Sequence, residues 1–184
     1  MRWQELFRDL EGQLEASAAA ELRAEVSDRT RRELALVRLQ DRLGPAAAGS
    51  VVLTVLGGGS VRGTLLRAGP DWGLVEEDGG RDVLVPFAAL LGVTGLGRST
   101  APPGAGGQVA LRLDLRWVLR GLARDRAGVS LVLLDGSSVD GTLDRVGADH
   151  VDLAEHPAGE PRRAGAVRQV RLVPLAAIGL LRAA

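Results

Sequence analysis

Residues 129–153 read VSLVLLDGSSVDGTLDRVGADHVDL, and residues 51–75 read VVLTVLGGGSVRGTLLRAGPDWGLV. With a shift of 78 positions, 12 of these 25 pairs are identical, including Gly63 with Gly141. Agreement over so long a stretch indicates an internal duplication rather than chance composition. The fold therefore follows from what one copy of the repeat builds.

The similarity resumes further along the chain with a different shift. Residues 83–90, VLVPFAAL, match residues 171–178, RLVPLAAI, at a shift of 88. The second copy therefore has ten more residues than the first between the two blocks. These ten residues, HPAGEPRRAG at 156–165, are rich in Pro and Gly, which indicates an extended loop.

Each copy has the pattern of five short strands. In the second copy these are Val129–Leu134, Ser138–Val146, Val151–Ala154, Val170–Pro174 and Ile178–Arg182. Asp135-Gly136 is a hairpin signal, and Gly141 inside the second strand is typical of a bend or bulge. Five strands joined mostly by tight turns are too few for a sandwich and favour a small, strongly bent barrel.

A helix is predicted before each barrel. Thr30 and Glu33 fit a capping box for a helix over residues 34–43, and Gly44-Pro45 is a plausible end. Before the second barrel, Asp114 is positioned to cap a helix whose apolar residues have a helical spacing: Leu115, Val118, Leu119 and Leu122. The residues just before it alternate, so a strand over Val109–Leu113 is an open alternative.

A further helix is predicted at the N-terminus, where Trp3, Phe7, Leu10 and Leu14 share one stripe. The predicted fold is thus mainly β with α, built from two small bent barrels, each preceded by a helix. The predicted division is an N-terminal helical region (1–46), a first barrel (47–96), a linker and helix (97–128) and a second barrel (129–184). The clearest linker signal is GRSTAPPGAGG at residues 97–107.

These residues resemble the Sm/Lsm proteins, whose bacterial relative is Hfq. Residues 149–153, DHVDL, match the first Sm signature, except that Asp152 stands where Asn is usual. Residues 71–75 keep only the leading Asp of that signature. The second signature, an Arg-Gly pair, is replaced by Val85-Pro86 and Val173-Pro174.

The resemblance implies a helix-covered five-stranded barrel of the Sm or SH3-like kind. It also implies rings in which the fourth strand of one barrel pairs with the fifth strand of the next. Here the two copies could pair within the chain or between chains, so we expect a dimer or a larger ring. In the family, the Asn and Arg-Gly positions line a pocket for a base of single-stranded RNA. Proline removes a backbone donor and Asp152 adds a carboxylate near phosphates, so the usual uridine pocket is not expected here.

RNA contacts remain an open alternative, with six candidate residues. The candidates are Asp149, His150, Asp152, Arg162, Arg163 and Trp72. Asp152 could accept from a base edge, the aromatic rings could stack on bases, and the arginines could pair with phosphates. The competing interpretation is structural: Asp149 caps a turn, His150 faces solvent, Trp72 fills the barrel or an interface, and the arginines keep a loop soluble.

Composition excludes several kinds of chemistry. All 23 basic residues are Arg, balanced by 23 acidic residues, and the chain has no Lys and no Cys. Schiff bases, thiol nucleophiles and disulfides are therefore excluded, and a strongly basic nucleic-acid-binding face is not indicated. The two histidines are neighbours, and no nucleophile with a paired base can be named. We predict no enzyme and no cofactor.

A metal site was the remaining chemical possibility. His150, Asp152, Glu155 and His156 cluster within seven residues, but a polar strand face and turn explain them equally well, and we predict no metal. The first nine residues mix charges, and the apolar stretch at 84–97 is broken by Pro86 and glycines. We therefore expect neither a signal peptide nor a membrane span, and we predict a cytoplasmic protein.

Two hypotheses of function follow. The first is a non-catalytic Sm-like interaction module that assembles with itself or with a protein partner, and local charge balance and the missing Arg-Gly favour it. The second is an RNA-binding regulator of the Sm or Hfq kind with altered base pockets. The preserved Asp149 signature and the arginine loop favour the second. No small-molecule substrate is indicated.

Overall fold

A computed structural model of the chain describes residues 2–102, 105, 112–159, 162–163 and 165–183. The described residues are mainly β with helices, as predicted, and the ten strands among them form one antiparallel sheet. The chain divides into two compact units, Met1–Arg38 and Leu39–Ala184. Each unit is described by itself.

The first unit is occupied by one long helix, α1 (Arg2–Ala35). It confirms the N-terminal helix, but the predicted capping box of Thr30 and Glu33, before a helix over residues 34–43, was wrong. The Thr30 hydroxyl donates to the Val26 carbonyl at 2.8 Å, and Glu33 pairs with Arg29 at 3.0 Å, so both residues lie within α1. The predicted stripe residues Trp3, Phe7 and Leu14 are exposed.

The first half of the second unit begins with the short helix α2 (Leu39–Leu43), which ends just before Gly44-Pro45 as predicted. Five strands follow: β1 (Ser50–Val55), β2 (Gly59–Ala68), β3 (Trp72–Glu77), β4 (Asp82–Pro86) and β5 (Leu90–Thr94). A 3-10 turn, Phe87–Ala89, separates the last two strands.

The second half repeats this order. Helix α3 (Leu115–Arg124) starts at Asp114, whose side chain accepts the Trp117 N–H at 2.9 Å, which confirms the predicted cap. The strands are β6 (Gly128–Leu133), β7 (Ser138–Val146), β8 (His150–Glu155), β9 (Gln169–Pro174) and β10 (Ile178–Ala183). The alternative strand at Val109–Leu113 falls mostly outside the described residues.

The strand order across the sheet is β5-β1-β2-β3-β4-β10-β6-β7-β8-β9. Each half thus contributes its strands in the same order, and the halves are joined where β4 pairs with β10, with Leu84 opposite Leu181. The second strand of each half has an irregularity at an equivalent place, after Leu65 and after Leu143. The sheet is continuous and not closed, so the prediction of two separate barrels is not confirmed, and the two repeats instead form five-stranded halves of one sheet.

The apolar residues form two clusters, one for each half, and the joint links them. Trp72 and Leu84 come from the first half but belong to the cluster of the second half. Val132 and Leu180 make the opposite crossing and belong to the first cluster. Each half therefore completes the core of the other, which explains why residues 39–184 form one compact unit.

Candidate interaction surfaces

The joint between the halves is more than a strand pair. At its edge, the Trp72 indole Nε1 donates to the Leu113 carbonyl at 2.8 Å, and the Asp71 carboxylate accepts the Leu115 N–H at 2.8 Å. Both contacts hold the start of α3, which belongs to the second half, against a loop of the first half. Trp72 is buried, so its N–H is satisfied inside the protein rather than by water.

The other end of the joint is built by the β1–β2 turn. Gly57 has a φ of 72°, and a Cβ at this residue would meet the Leu133 carbonyl oxygen of β6 and the backbone of Leu134. Glycine is required here because any side chain would push the two halves apart. The three-glycine run of the sequence is therefore a hairpin turn that also sits against the other half.

Electrostatics differ between equivalent loops of the two halves. Partial burial raises the pKa of Asp71, and the nearby Asp114 charge adds to the rise, against the hydrogen bond from Leu115. The hydrogen bond with His150 instead lowers the pKa of Asp149, the counterpart of Asp71. The Asp71 carboxylate is bonded to the start of α3 through the Leu115 N–H, whereas the Asp149 side chain is 89% exposed.

The outer strand β9 carries an exposed apolar row. Val170 and Leu172 are 58% and 60% exposed, although Leu84, the counterpart of Leu172 on β4, is only 3% exposed. In the described part of the chain, β9 pairs only with β8. The difference arises because β10 covers Leu84, whereas Leu172 has no covering strand.

The other outer strand, β5, borders a shallow apolar groove. The groove is lined by Leu39, Arg42, Leu90, Leu91, Gly92, Val93 and Leu96. Leu91 is 65% exposed, and among the described strands β5 pairs only with β1. Both outer edges therefore combine open backbone groups with exposed leucines, a combination that is prone to pair with other strands.

The sequence-predicted site residues do not converge on one pocket. Trp72 is buried in the joint, as the structural interpretation had it, and is not available to stack on a base. His150 lies on the opposite half and contacts Asp149 at 2.8 Å through Nδ1. Asp152 lies within β8, opposite Arg145 on one side and Leu172 on the other.

Two arginines near the long loop, Arg162 and Arg171, pair with carboxylates. An Arg162 Nη donates to Asp144 at 2.8 Å, while its Nε lies 2.7 Å from the other carboxylate oxygen, too poorly aligned for a second hydrogen bond. The Arg171 guanidinium pairs with Glu155, which lowers the pKa of that carboxyl together with a hydrogen bond from Gln169. Arg163 makes no ion pair with the residues that the structure describes.

The four residues considered for a metal are divided among different partners. His156 is buried, with its Nε2 2.8 Å from the Thr142 hydroxyl and its Nδ1 3.0 Å from the Pro157 carbonyl oxygen. Glu155 is held by Arg171. Among the described residues, no group of three or more potential ligands is close enough to hold a metal ion.

Arg42 makes a contact that the sequence did not reveal. Its guanidinium donates to the carbonyls of Gly97, Arg98 and Ser99 at 2.8 to 3.0 Å and to the Thr100 hydroxyl at 3.0 Å. The first residues of the predicted linker are therefore fixed beside β5. Only the Pro- and Gly-rich composition was visible beforehand, and it carries no signal for this contact.

Comparisons with known proteins do not assign the chain to a family. Of the helices in the described ranges, none combines the length and apolar character that a bilayer crossing requires. Neither a protein-family model nor a curated protein matches the chain.

Proposed function

We propose that the protein is a non-catalytic interaction module of Sm-like build that assembles with copies of itself through its two outer strands. The Sm-like part rests on the repeated strand order, on the bend at equivalent places in the second strands, and on the Asp149–Leu153 signature. The assembly part rests on one observation, the joint inside the chain.

The joint pairs the fourth strand of the first half with the fifth strand of the second half. The two outer strands are the remaining members of the same set, because β9 is the fourth strand of the second half and β5 is the fifth strand of the first. A second copy would thus meet β9 with its β5 and repeat the contact that already exists inside each chain. Such a contact is head to tail, so repetition closes into a ring or continues as a chain.

The internal joint also predicts the register of the external one. Leu84 lies opposite Leu181 in the joint. The 88-residue shift that relates the repeats converts this pair into Leu172 opposite Val93 of the next copy. Leu172 would then be covered as Leu84 is, which removes an exposed apolar side chain from water and favours association.

An RNA-binding regulator has less support. Trp72 is buried, and Arg162 and Arg171 are paired with carboxylates, so three residues that could contact RNA are engaged within the protein. RNA binding would have to displace these ion pairs. If RNA binds, Arg162→Ala with Arg163→Ala should weaken binding to an RNA pool and flatten its salt dependence, because fewer counterions are released.

The first test compares one edge variant with a matched control by light scattering and sedimentation. Leu172→Arg places a charge where β5 of a second copy would pack, and we expect self-association to weaken roughly tenfold or more. Leu66→Arg changes another exposed leucine, 42% exposed on β2, whose counterpart in the repeat is already charged, Asp144. We expect Leu66→Arg to associate like the wild type.

The second test traps the register. Because the chain has no cysteine, Val93→Cys with Leu172→Cys introduces the only two thiols. Directly opposed residues on paired strands have the Cα separation that a disulfide needs, so this variant should form cross-linked multimers under mild oxidation. Thr94→Cys with Leu172→Cys places one thiol on the opposite face and should not. A wild type that stays monomeric at micromolar concentration, or equal cross-linking by both pairs, would overturn the proposal.

A further inference from the structure

The loops that precede β3 and β8 are closed by equivalent backbone hydrogen bonds. The Gly69 N–H donates to the Trp72 carbonyl at 2.8 Å, and the Gly147 N–H donates to the His150 carbonyl at 2.8 Å. In each loop, the ring of the residue three positions after the glycine packs over that glycine: the Trp72 indole over Gly69 and the His150 imidazole over Gly147. The two loops therefore share this backbone hydrogen bond and the placement of the ring over the glycine.

The carbonyls of the two aspartates confirm this equivalence. The Asp71 carbonyl accepts the Phe87 N–H at 2.8 Å, and the Asp149 carbonyl accepts the Leu175 N–H at 2.7 Å. Each loop is thus tied to the turn that follows the fourth strand of its own half. The backbone frames of the two loops therefore correspond to each other.

The first loop binds a definite chain segment, residues 113–115. Trp72 donates to the Leu113 carbonyl and Asp71 accepts the Leu115 N–H, both at 2.8 Å. Leu115 is 7% exposed beneath this contact. The second loop has no such segment: Asp149 contacts only His150 among the described side chains, and the His150 Nε2 has no hydrogen bond there.

The chain also contains a counterpart of the bound segment. Leu39 and Leu43 of α2 match Leu115 and Leu119 of α3 at a shift of 76, and Leu43 and Leu119 are both 1% exposed in their clusters. Leu39 is 39% exposed, however, whereas Leu115 is covered. Residues 37–39 therefore correspond to the bound segment but lack the loop that would cover Leu39.

We infer that Asp149 and His150 form the docking site for residues 37–39 of a second copy. Asp149 accepts the backbone N–H of Leu39, and the imidazole packs on that segment where the larger indole of Trp72 packs in the joint. This inference rests on the proposed self-assembly and adds a second contact to it. It makes Asp149 and His150, two of the candidate RNA residues, protein-contact residues.

The second repeat has His150 where the first has Trp72, and this difference should affect the affinity of the contact between copies. An indole buries more apolar area than an imidazole and is a common anchor of interfaces. We therefore expect the contact between chains to be weaker than the joint within a chain. Restoring the indole at position 150 should strengthen the contact.

The test measures self-association of four full-length variants by sedimentation. We expect His150→Trp to associate roughly tenfold more tightly and Asp149→Ala roughly tenfold more weakly. Asp149→Asn keeps an oxygen acceptor and should stay near the wild type. Asp125→Ala, which removes a carboxylate that is 67% exposed at the other end of α3, is the matched control and should have no effect.

Disulfide cross-linking tests whether the two segments lie close together, which a change in affinity does not show. Leu39→Cys with His150→Cys should give multimers joined by disulfides, and Leu39→Cys with Asp125→Cys should not. If the wild type associates and Leu172→Arg abolishes this, but the Asp149 and His150 variants change nothing and no cross-link forms, the docking inference is overturned while the assembly proposal stands. If the wild type does not associate at all, both fail.

Discussion

The two halves of residues 39–184 share strand order, bends and turns, yet equivalent residues have opposite environments. Leu84 is buried and Leu172 is exposed, and Trp72 is buried whereas His150 is partly exposed. The difference is due to position in the sheet, because β4 has β10 beside it and β9 has no second neighbour in the described chain. The burial of a residue on an outer strand thus depends on whether another strand pairs beside it. The exposed residues of β9 therefore mark a surface that a further strand could cover.

The largest difference in stability is expected between variants that remove the rings of the two loops, Trp72 and His150. Trp72→Ala removes a buried indole and its hydrogen bond to Leu113, so it should lower the free energy of unfolding by about 3–5 kcal/mol. His150→Ala should cost less, about 0.5–1.5 kcal/mol, because its ring is partly exposed and loses one hydrogen bond, to Asp149. Urea denaturation of both variants, at a concentration where the protein is monomeric, measures the contrast. Equal losses would mean that the loops are not differently covered.

The second contrast concerns the fourth strands. Leu84→Ala leaves a cavity in the joint and should cost about 2–4 kcal/mol. Leu172→Ala removes a side chain that is 60% exposed and should cost less than about 0.5 kcal/mol in the monomer. Raising the protein concentration should narrow the gap between the two variants, because assembly would cover Leu172. A gap that is independent of concentration would contradict assembly through β9.

Some of this architecture could be predicted from sequence, and the reasons are local. The strand boundaries of the second half followed from alternation and turn residues, which act over a few positions. Asp114 was recognised as a cap because its N–H partner is three residues away. The false start at Thr30 shows the limit of such signals: a threonine hydroxyl can cap a helix or bond the carbonyl four residues back, and the sequence alone does not distinguish these.

The joint and the site residues depended on long-range pairing. β4 and β10 are far apart in the chain, and pairing within a chain or between chains has the same sequence pattern, so the choice had to come from the structure. The ion pairs of Arg162 with Asp144 and of Arg171 with Glu155 likewise join residues on different strands or loops. Local charge counts could indicate a basic loop but not its neutralisation.

The third comparison concerns the glycines at the equivalent bends, Gly63 and Gly141. Here we expect equal losses of stability, which tests the equivalence of the two repeats. A Cβ on Gly63 would collide with the Glu76 carbonyl oxygen, and one on Gly141 would collide with the Ala154 carbonyl oxygen. Gly63→Ala and Gly141→Ala should therefore cost similar amounts, about 1–3 kcal/mol each. Gly79, where a Cβ would meet nothing within 4 Å, is the control, and Gly79→Ala should change stability by less than about 0.5 kcal/mol. Clearly unequal costs would show that the two bends are built differently.

The smallest contrast is in pH dependence, between Asp71 and Asp149. Partial burial raises the pKa of Asp71, so its contribution to stability is present below the ordinary carboxyl pKa and is lost as pH rises through the raised value. The His150 hydrogen bond lowers the pKa of Asp149, so its contribution is present above the ordinary value and is lost as pH falls through the lowered one.

The two variants that remove these charges should therefore respond in opposite directions. Relative to the wild type, Asp71→Asn should gain stability as pH rises from the ordinary carboxyl pKa, about 4, to about 6, and Asp149→Asn should lose stability as pH rises from about 2 to about 4. Asn keeps an oxygen acceptor for the Leu115 N–H, so the change isolates the charge from the hydrogen bond. Urea denaturation in the Leu172→Arg background keeps assembly out of the comparison. Parallel pH curves would mean that the contact of Asp71 with α3 does not distinguish the two loops electrostatically.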